Sequence, residues 1–321
     1  MSTTTSYGQV IRSFGDETRF EAATLPLLDQ VRSHEVRISV AAASVNPVDL
    51  TTRAGKNIPV ESARFPMVLG WDVAGTVMAI GDEVSTVAVG DRVAAMTFQP
   101  TDQNGTYRSV LDLDARLVVP VPDELDLRTA ATLPLVGLTA AQTVDRAGVT
   151  RGTNVLVNAP LGGVGRLVVQ LAAARGANVV ALAAAERADQ AHALGAQTVL
   201  PRGATDDDIR AQLDAPLDAA IDMIGGRSAR DGFAAVRDDG TYVTTVPPYI
   251  DPSGVFDTAR GIDVGLIVVH PDRDELSGLL SLVAMGSLLS PIGGTFQLTN
   301  VADAHRRQAA GGLNGKLVLL P

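Results

Sequence analysis

The sequence predicts an α/β protein in which a doubly wound parallel sheet is joined to a β-rich unit. Three observations predict it. Asn154 to Arg175 reads as strand, glycine turn and helix. Beyond it, short apolar runs alternate with helical stretches as far as Val269, the pattern of a parallel sheet with crossover helices. Ahead of it, from Tyr7 to about Pro120, short strands are separated by turn dipeptides such as Gly81-Asp82 and Gly90-Asp91.

The glycine turn organises the rest. Val155-Leu156-Val157 is too short for a helix and is bounded by Asn158 and Pro160, so it reads as a buried strand. Gly162-Gly163-Val164-Gly165 follows, and then Leu167, Val168 and Leu171 recur at helical spacing. Between a strand and a helix, such glycines let the backbone approach a pyrophosphate. The free N–H groups of the helix start and its dipole favour the negative charge. The bland alternative is a tight turn with no ligand.

The other elements follow in order. Val36 to Val40 alternates as a half-buried strand, and Gly75 to Ile80 and Arg92 to Met96 look similar. Arg128 to Ala147 has a helical texture, with Val121-Pro122-Asp123 as the boundary before it. After the glycine turn come a strand at Asn178 to Leu182, a helix at Glu186 to Leu194 and a strand at Thr198 to Leu200. A helix at Asp206 to Leu213 and a strand at Leu217 to Asp222 continue the alternation. They precede a helix at Ser228 to Val236 and a strand at Gly240 to Val246, ended by Pro247-Pro248. Ile262 to Val269 is the sixth strand. A helix carrying Leu276, Leu279, Leu280 and Val283 and a last strand from Lys316 to Leu320 are expected to return to the first unit.

Composition narrows the function. The 321 residues suffice for two cores. The absence of cysteine excludes disulfides and thiolate metal sites. His34, His192, His270 and His305 are scattered without metal-ligand spacing. A net charge of −10 argues against nucleic acid, whose phosphates need a basic surface. No apolar run approaches a membrane span, and the start MSTTTSYGQV lacks secretory features, so a cytoplasmic protein is expected.

Several segments resemble one family. They are Ser44-Val45-Asn46-Pro47-Val48-Asp49, Leu69-Gly70-Trp71-Asp72-Val73-Ala74-Gly75, Val89-Gly90-Asp91-Arg92-Val93 and Leu138-Thr139-Ala140. The spacing Ala159-x-x-Gly162-x-x-Gly165, then Leu194-Gly195-Ala196, Asp222-Met223-Ile224-Gly225-Gly226 and Gly315-Lys316-Leu317-Val318-Leu319, complete the series in order. The chain is similar to the zinc-independent quinone oxidoreductases of the medium-chain dehydrogenase/reductase superfamily. The resemblance implies a doubly wound Rossmann domain at 124–270, inserted in a GroES-like catalytic domain made of 1–123 and 271–321. The cofactor is then expected in the cleft between them, with a small-molecule substrate, and a homodimer is expected.

Zinc-dependent relatives of that family place a cysteine where Asn46 stands and a histidine where Trp71 stands. Without a Lewis acid, alcohol oxidation loses its usual driver, which favours acceptors already activated by conjugation. The resemblance puts Asn46 at the nicotinamide end of the cofactor, with a turn residue before Pro47 as the alternative. Asp49 is a catalytic candidate or a helix cap, and Thr139 a cofactor contact or a cap. Trp71, Phe98 and Tyr107 are placed in the substrate pocket, although Trp71 equally suits the core and Tyr107 the start of a strand. Asp72 reads as a structural hydrogen-bonding group. Lys316 either approaches the cofactor or is a solvated lysine at a strand start. Pro160 and Leu161 depart from the small residues usual beside the pyrophosphate, so Leu161 either crowds the cofactor or turns away. The tyrosine often found after an R-x-G segment is missing after Arg53-Ala54-Gly55. No general acid stands out, and water can serve.

Cofactor-binding residues expected from the same resemblance are Gly162, Gly163, Val164, Gly165, Ala184, Arg187, Arg202 and Val246. The second strand runs into Ala183-Ala184-Ala185 without the carboxylate that holds the ribose hydroxyls in NAD sites. Arg187 and Arg202 suit a phosphate, with a solvated first-turn helix residue as the alternative for Arg187, and NADPH is expected. Against it, Glu186 is close and Ala184 replaces a frequent serine. The expected activity is hydride transfer from NADPH to a quinone, enone or enal. A dedicated biosynthetic enoyl reductase and a nucleotide-binding protein without turnover remain the alternatives.

Overall fold

The computed structural model describes residues 5–247 and 258–321, so Pro248 lies outside the described residues. Contacts divide the chain into Met1–Leu135 with His270–Pro321, and Val136–Val269.

The second unit is built on six parallel strands. Their order across the sheet is Thr198–Pro201, Asn178–Ala183, Asn154–Asn158, Leu217–Asp222, Val236–Thr244 and Asp263–Leu266. Strands covered on both faces need near-continuous apolar sequence. Val155, Leu156, Val157, Val179, Val180, Leu182, Ala219, Ala220 and Ile221 supply it, all buried. The helix Gly163–Ala174 buries Leu167, Val168, Val169 and Ala172, which form its inward stripe. Successive strands are added outward from Asn154–Asn158, first to one side and then to the other. Such a reversal opens a crevice at the carboxyl ends of the strands, where the glycine turn lies.

The first unit carries two sheets. The larger one orders Ile292–Gln297, Lys316–Leu320, Glu35–Val45, Asp72–Ile80, Arg92–Met96 and Val118–Pro120, with Val110–Asp114 also paired to Glu35–Val45. The smaller one holds Phe20–Leu25, Ser6–Ile11 and Met67–Val68. Lys316–Leu320 pairs antiparallel with Glu35–Val45, matching Leu317 with Val45 and Val318 with Ser44. That register brings the carboxyl-terminal strand beside Asn46.

Some expected elements change. The single helical stretch from Arg128 to Ala147 is two helices, Leu127–Ala130 and Pro134–Arg146. Pro134 restrains Leu133 away from helical backbone and starts the second helix. The division between units falls at Leu135 rather than Asp123, because Leu127–Ala130 packs on the strands Glu35–Val45, Asp72–Ile80 and Arg92–Met96. The fifth strand starts at Val236 rather than Gly240, through a register shift opposite Leu217 and Ala219. Ile292–Gln297 and the helix Val301–Ala309 were not expected from the sequence. Among the described residues no helix is long and apolar enough to cross a membrane.

Candidate active site

In the parallel-sheet unit the turn after Asn154–Asn158 is tight. Ala159 sits at φ 49°. A Cβ on Gly165 would stand 2.1 Å from the Ala159 carbonyl oxygen, so only glycine fits there. Gly162 takes the N-cap position of the helix Gly163–Ala174 with no side-chain cap, so the first N–H groups of that helix are not capped by a side chain. Leu161 is buried, and its carbonyl accepts from Arg166 Nη2 at 3.2 Å.

Hydrogen bonds tie the carboxyl ends of the strands together. Asn158 Nδ2 donates to Asp222 Oδ1, and Met223 N donates to Asn158 Oδ1 at 2.7 Å. Asp222 also accepts from Gly225 N at 3.0 Å and Thr244 Oγ1 at 2.9 Å. Val246 N donates to Thr244 Oγ1 at 3.0 Å, which fixes the Val246 backbone beyond its strand. Thr139 is buried in its helix, and its carbonyl accepts Thr143 Oγ1 at 2.6 Å.

Ala184 directly follows the second strand, and its carbonyl accepts Arg187 N at 2.9 Å. Arg187 is half-buried, with its guanidinium on Gln190 Oε1 at 3.0 and 3.2 Å. Arg202 is exposed beyond the third strand, and Glu186 is exposed as well. Arg166 is one residue that the sequence did not single out. It is buried, and burial followed by the charge of Arg187 lowers its pKa, which puts the two guanidiniums in one another's field. Its signal was an arginine directly after the last glycine of the turn.

The other unit holds a buried polar cluster around Asn46, Asp49, Asp72 and Lys316, each at most 4 % exposed. Pro47 opens the helix Pro47–Arg53, and the Asp49 carboxylate reaches back to the Asn46 N–H at 2.8 Å. Asp49 is therefore a helix cap in this fold. Lys316 Nζ donates to the Val45 carbonyl at 2.8 Å and to Asn46 Oδ1, and lies 3.9 Å from Asp72 Oδ2. The solvated lysine considered from the sequence is corrected: strand pairing with Glu35–Val45 draws Lys316 inside. Asp72 accepts Ser44 Oγ at 2.5 Å, Asn46 Nδ2 at 2.7 Å and Leu135 N at 2.7 Å. An ammonium only donates and a carboxylate only accepts, so together they fix which way the Asn46 amide points. Burial lowers the Lys316 pKa, opposed by Asp72 and then Asp49.

Tyr107 was placed in a substrate pocket, and the structure puts it in the core. It is 0 % exposed, and its hydroxyl donates to Asp49 Oδ2 at 3.0 Å. The half-aromatic, half-polar side chain satisfies a buried carboxylate while filling apolar space. Trp71 is 4 % exposed and meets half-buried Phe98 edge-on, with centroids 5.4 Å apart. The Trp71 indole Nε1 has no hydrogen-bond partner among the described residues.

Comparison with known proteins agrees with this architecture. Residues 32–123 match the alcohol dehydrogenase GroES-like domain, and residues 194–319 the zinc-binding dehydrogenase domain. A chloroplastic NADPH-dependent alkenal/one oxidoreductase of Arabidopsis thaliana is 30% identical over 303 residues, covering 92% of this chain and 74% of the relative. Quinone oxidoreductase of Mus musculus is 28% identical over 311 residues, covering 90% of each chain. The solved quinone oxidoreductase of Coxiella burnetii superposes with a TM-score of 0.90 at 27% identity, covering 99% of this chain and 100% of that one. The chain belongs to the quinone oxidoreductase family of the medium-chain dehydrogenase/reductase superfamily. It is an oxidoreductase with a site of the nicotinamide-cofactor type.

Proposed function

We propose that this protein is an NADPH-dependent reductase of quinones or activated alkenes that works without a metal. The observation that carries the reading is the donor set of the catalytic unit. At the two positions where zinc relatives place cysteine and histidine stand Asn46, whose amide is engaged by Lys316 and Asp72, and the indole of Trp71. Neither is a zinc ligand. Without a Lewis acid, the acceptor must already delocalise the charge that hydride brings, as quinones, enones and enals do. The names of the Arabidopsis and mouse relatives support the same two substrate classes.

The residues present fit the cofactor. Gly162, Gly163, Val164 and Gly165 cradle the pyrophosphate at the helix start, and Ala184 and Val246 line the strand ends beside it. In the parallel-sheet unit Thr139 is a further cofactor contact, and in the other unit Asn46 and Lys316 are cofactor contacts, with Asp49 holding Asn46 in place. NADPH supplies a hydride. Asn46 orients, Lys316 and Asp72 keep its amide from turning, and the free Trp71 N–H is available to an acceptor oxygen, with Phe98 bracing the indole. Exposed Val264, Leu266 and Val268 alternate along the sheet edge at Asp263–Leu266 and just beyond it, and support a homodimer.

A chelator-treated preparation should oxidise NADPH with 1,4-quinones or enones as fast as an untreated one. Loss of turnover on chelation, restored by zinc, overturns the metal-free reading. NADPH binding by calorimetry without oxidation by any acceptor favours a binding protein instead.

NADPH preference rests on Arg187 and Arg202, with Arg166 adding charge beside Arg187. A charge-assisted bond to phosphate contributes about 1.5–3 kcal/mol, so Arg187→Ala should raise the NADPH KM roughly tenfold or more. The NADH KM should stay near its original value. Equal loss for both cofactors, or a wild type that prefers NADH, removes the assignment.

A further inference from the structure

The hydrogen bonds behind Asp49 have a direction that chemistry fixes. Arg53 Nη1 lies 2.9 Å from His305 Nδ1. A guanidinium only donates, so Nδ1 accepts and the neutral imidazole carries its proton on Nε2. His305 is neutral, because burial and then the Arg53 charge pull its pKa down to about 3. Nε2–H therefore donates to the Tyr107 oxygen at 3.3 Å. With that oxygen already accepting from the imidazole, the Tyr107 hydroxyl donates onward to Asp49 Oδ2 at 3.0 Å. The other Asp49 oxygen is buried with no hydrogen-bond partner among the described residues. Every bond of the chain points toward the carboxyl that holds the Asn46 N–H.

We propose that His305 is a positioning residue: locked in one tautomer by Arg53, it turns the Tyr107 hydroxyl onto Asp49 and so sets the proton occupancy of the carboxyl beneath Asn46. Its effect on turnover rests on the reductase reading, whereas the relay itself does not. Asp49 faces Asp72 from one strand, Lys316 from the carboxyl-terminal strand and Tyr107. Arg53 shares its helix, and His305 reaches it from Val301–Ala309 through Tyr107. Burial pushes Asp49 up to about 7, and the Asp72 charge adds to this. The Asn46 N–H, the Tyr107 hydroxyl and Lys316 oppose it. Burial raises Tyr107 well above its ordinary value, so the phenol keeps its proton while Asp49 changes charge near neutrality.

The direction of the relay predicts the sign. In Arg53→Met nothing holds His305 Nδ1 as acceptor, so the imidazole can protonate there and offer Nε2 to Tyr107. The phenol then turns away from Asp49. An ionised carboxylate that loses a donor is less stable, so the Asp49 midpoint moves up.

Two measurements test it. In protein labelled with 15N-histidine, the resonance lost in His305→Phe should report a neutral Nε2–H tautomer from pH 5 to 8. An Nδ1–H tautomer, or an imidazole that takes up a proton in that range, overturns the proposal even if no Arg53 variant folds. The infrared carboxyl band lost in Asp49→Asn should titrate near pH 7 and shift up by roughly one unit in Arg53→Met. It should move back down in Arg53→Met/His305→Phe, where Tyr107 has only Asp49 to donate to. An unmoved midpoint in the single variant, or one that stays up in the double, also overturns it. The pH midpoint of kcat/KM should follow the infrared midpoint. A protein with this tautomer and titration but no reductase activity keeps the relay and loses the functional reading. An active reductase with His305 protonated on Nδ1 does the reverse.

Discussion

Gly165→Val should lower NADPH affinity by roughly a hundredfold and the stability of the protein by about 2–4 kcal/mol. The first Cβ atom would already stand 2.1 Å from the Ala159 carbonyl oxygen, 2.9 Å from its carbonyl carbon and 3.1 Å from Met223 Cε. Two of those atoms are backbone, so the helix Gly163–Ala174 must lift off the strand or the turn must unwind. Either movement takes the helix start away from the phosphates it is proposed to bind. Gly162→Ala is the control. Its Cβ would meet the Ala159 oxygen at 3.3 Å and next the Ala159 Cβ at 4.0 Å, and φ at Gly162 is an ordinary −72°. That variant should keep its melting temperature within a few degrees. Calorimetric titration with NADPH and thermal melts of both variants decide the matter. Tight NADPH binding by folded Gly165→Val would mean that the phosphates lie elsewhere.

This turn was legible because all its information is local: an apolar triplet, glycines at fixed offsets and a helical stripe lie within one stretch. The central strands Asn154–Asn158 and Asn178–Ala183 were legible for the same reason, since strands covered on both faces are near-continuous apolar runs. The first unit was harder to read. Arg53 and His305 are 252 positions apart, and no period or motif joins them. Val301–Ala309 shows only Val301, Ala304 and His305 to the interior, too short a stripe among charged residues to stand out. Ile292–Gln297 alternates between half-buried and exposed and contains two glycines, which weakens its pattern as a strand. Tyr107 illustrates the limit well. A loop aromatic suits a pocket or a core equally, and only the position of Asp49 decides that its hydroxyl points inward. Lys316 is the mirror case: lysine is rarely buried, so composition argued for solvent until pairing with Glu35–Val45 placed it inside.

Lys316→Met should destabilise the protein by about 3 kcal/mol or more, with a loss of turnover larger than the loss of stability explains. The ammonium is buried, bonded to the Val45 carbonyl and to Asn46 Oδ1, and is 3.9 Å from Asp72 Oδ2. Methionine fills much of the same volume, so packing loss is small and the electrostatic change dominates. Asp72 would keep three donors, Ser44, Asn46 and Leu135 N, but its charge would have no cation beside it in the cluster. Removing the second charge as well should recover most of the deficit, because replacing both members of a buried pair avoids leaving one uncompensated. Urea unfolding of Lys316→Met, Asp72→Asn and the double variant therefore forms a cycle in which the double is more stable than the sum of the singles implies. Turnover should not recover with stability. In the double variant the Asn46 amide has lost both the ammonium that holds its oxygen and the carboxylate that holds its nitrogen, so it can flip. A folded Lys316→Met with wild-type kcat/KM would show that Asn46 needs no such hold, and the orienting role proposed for the cluster would fall with it.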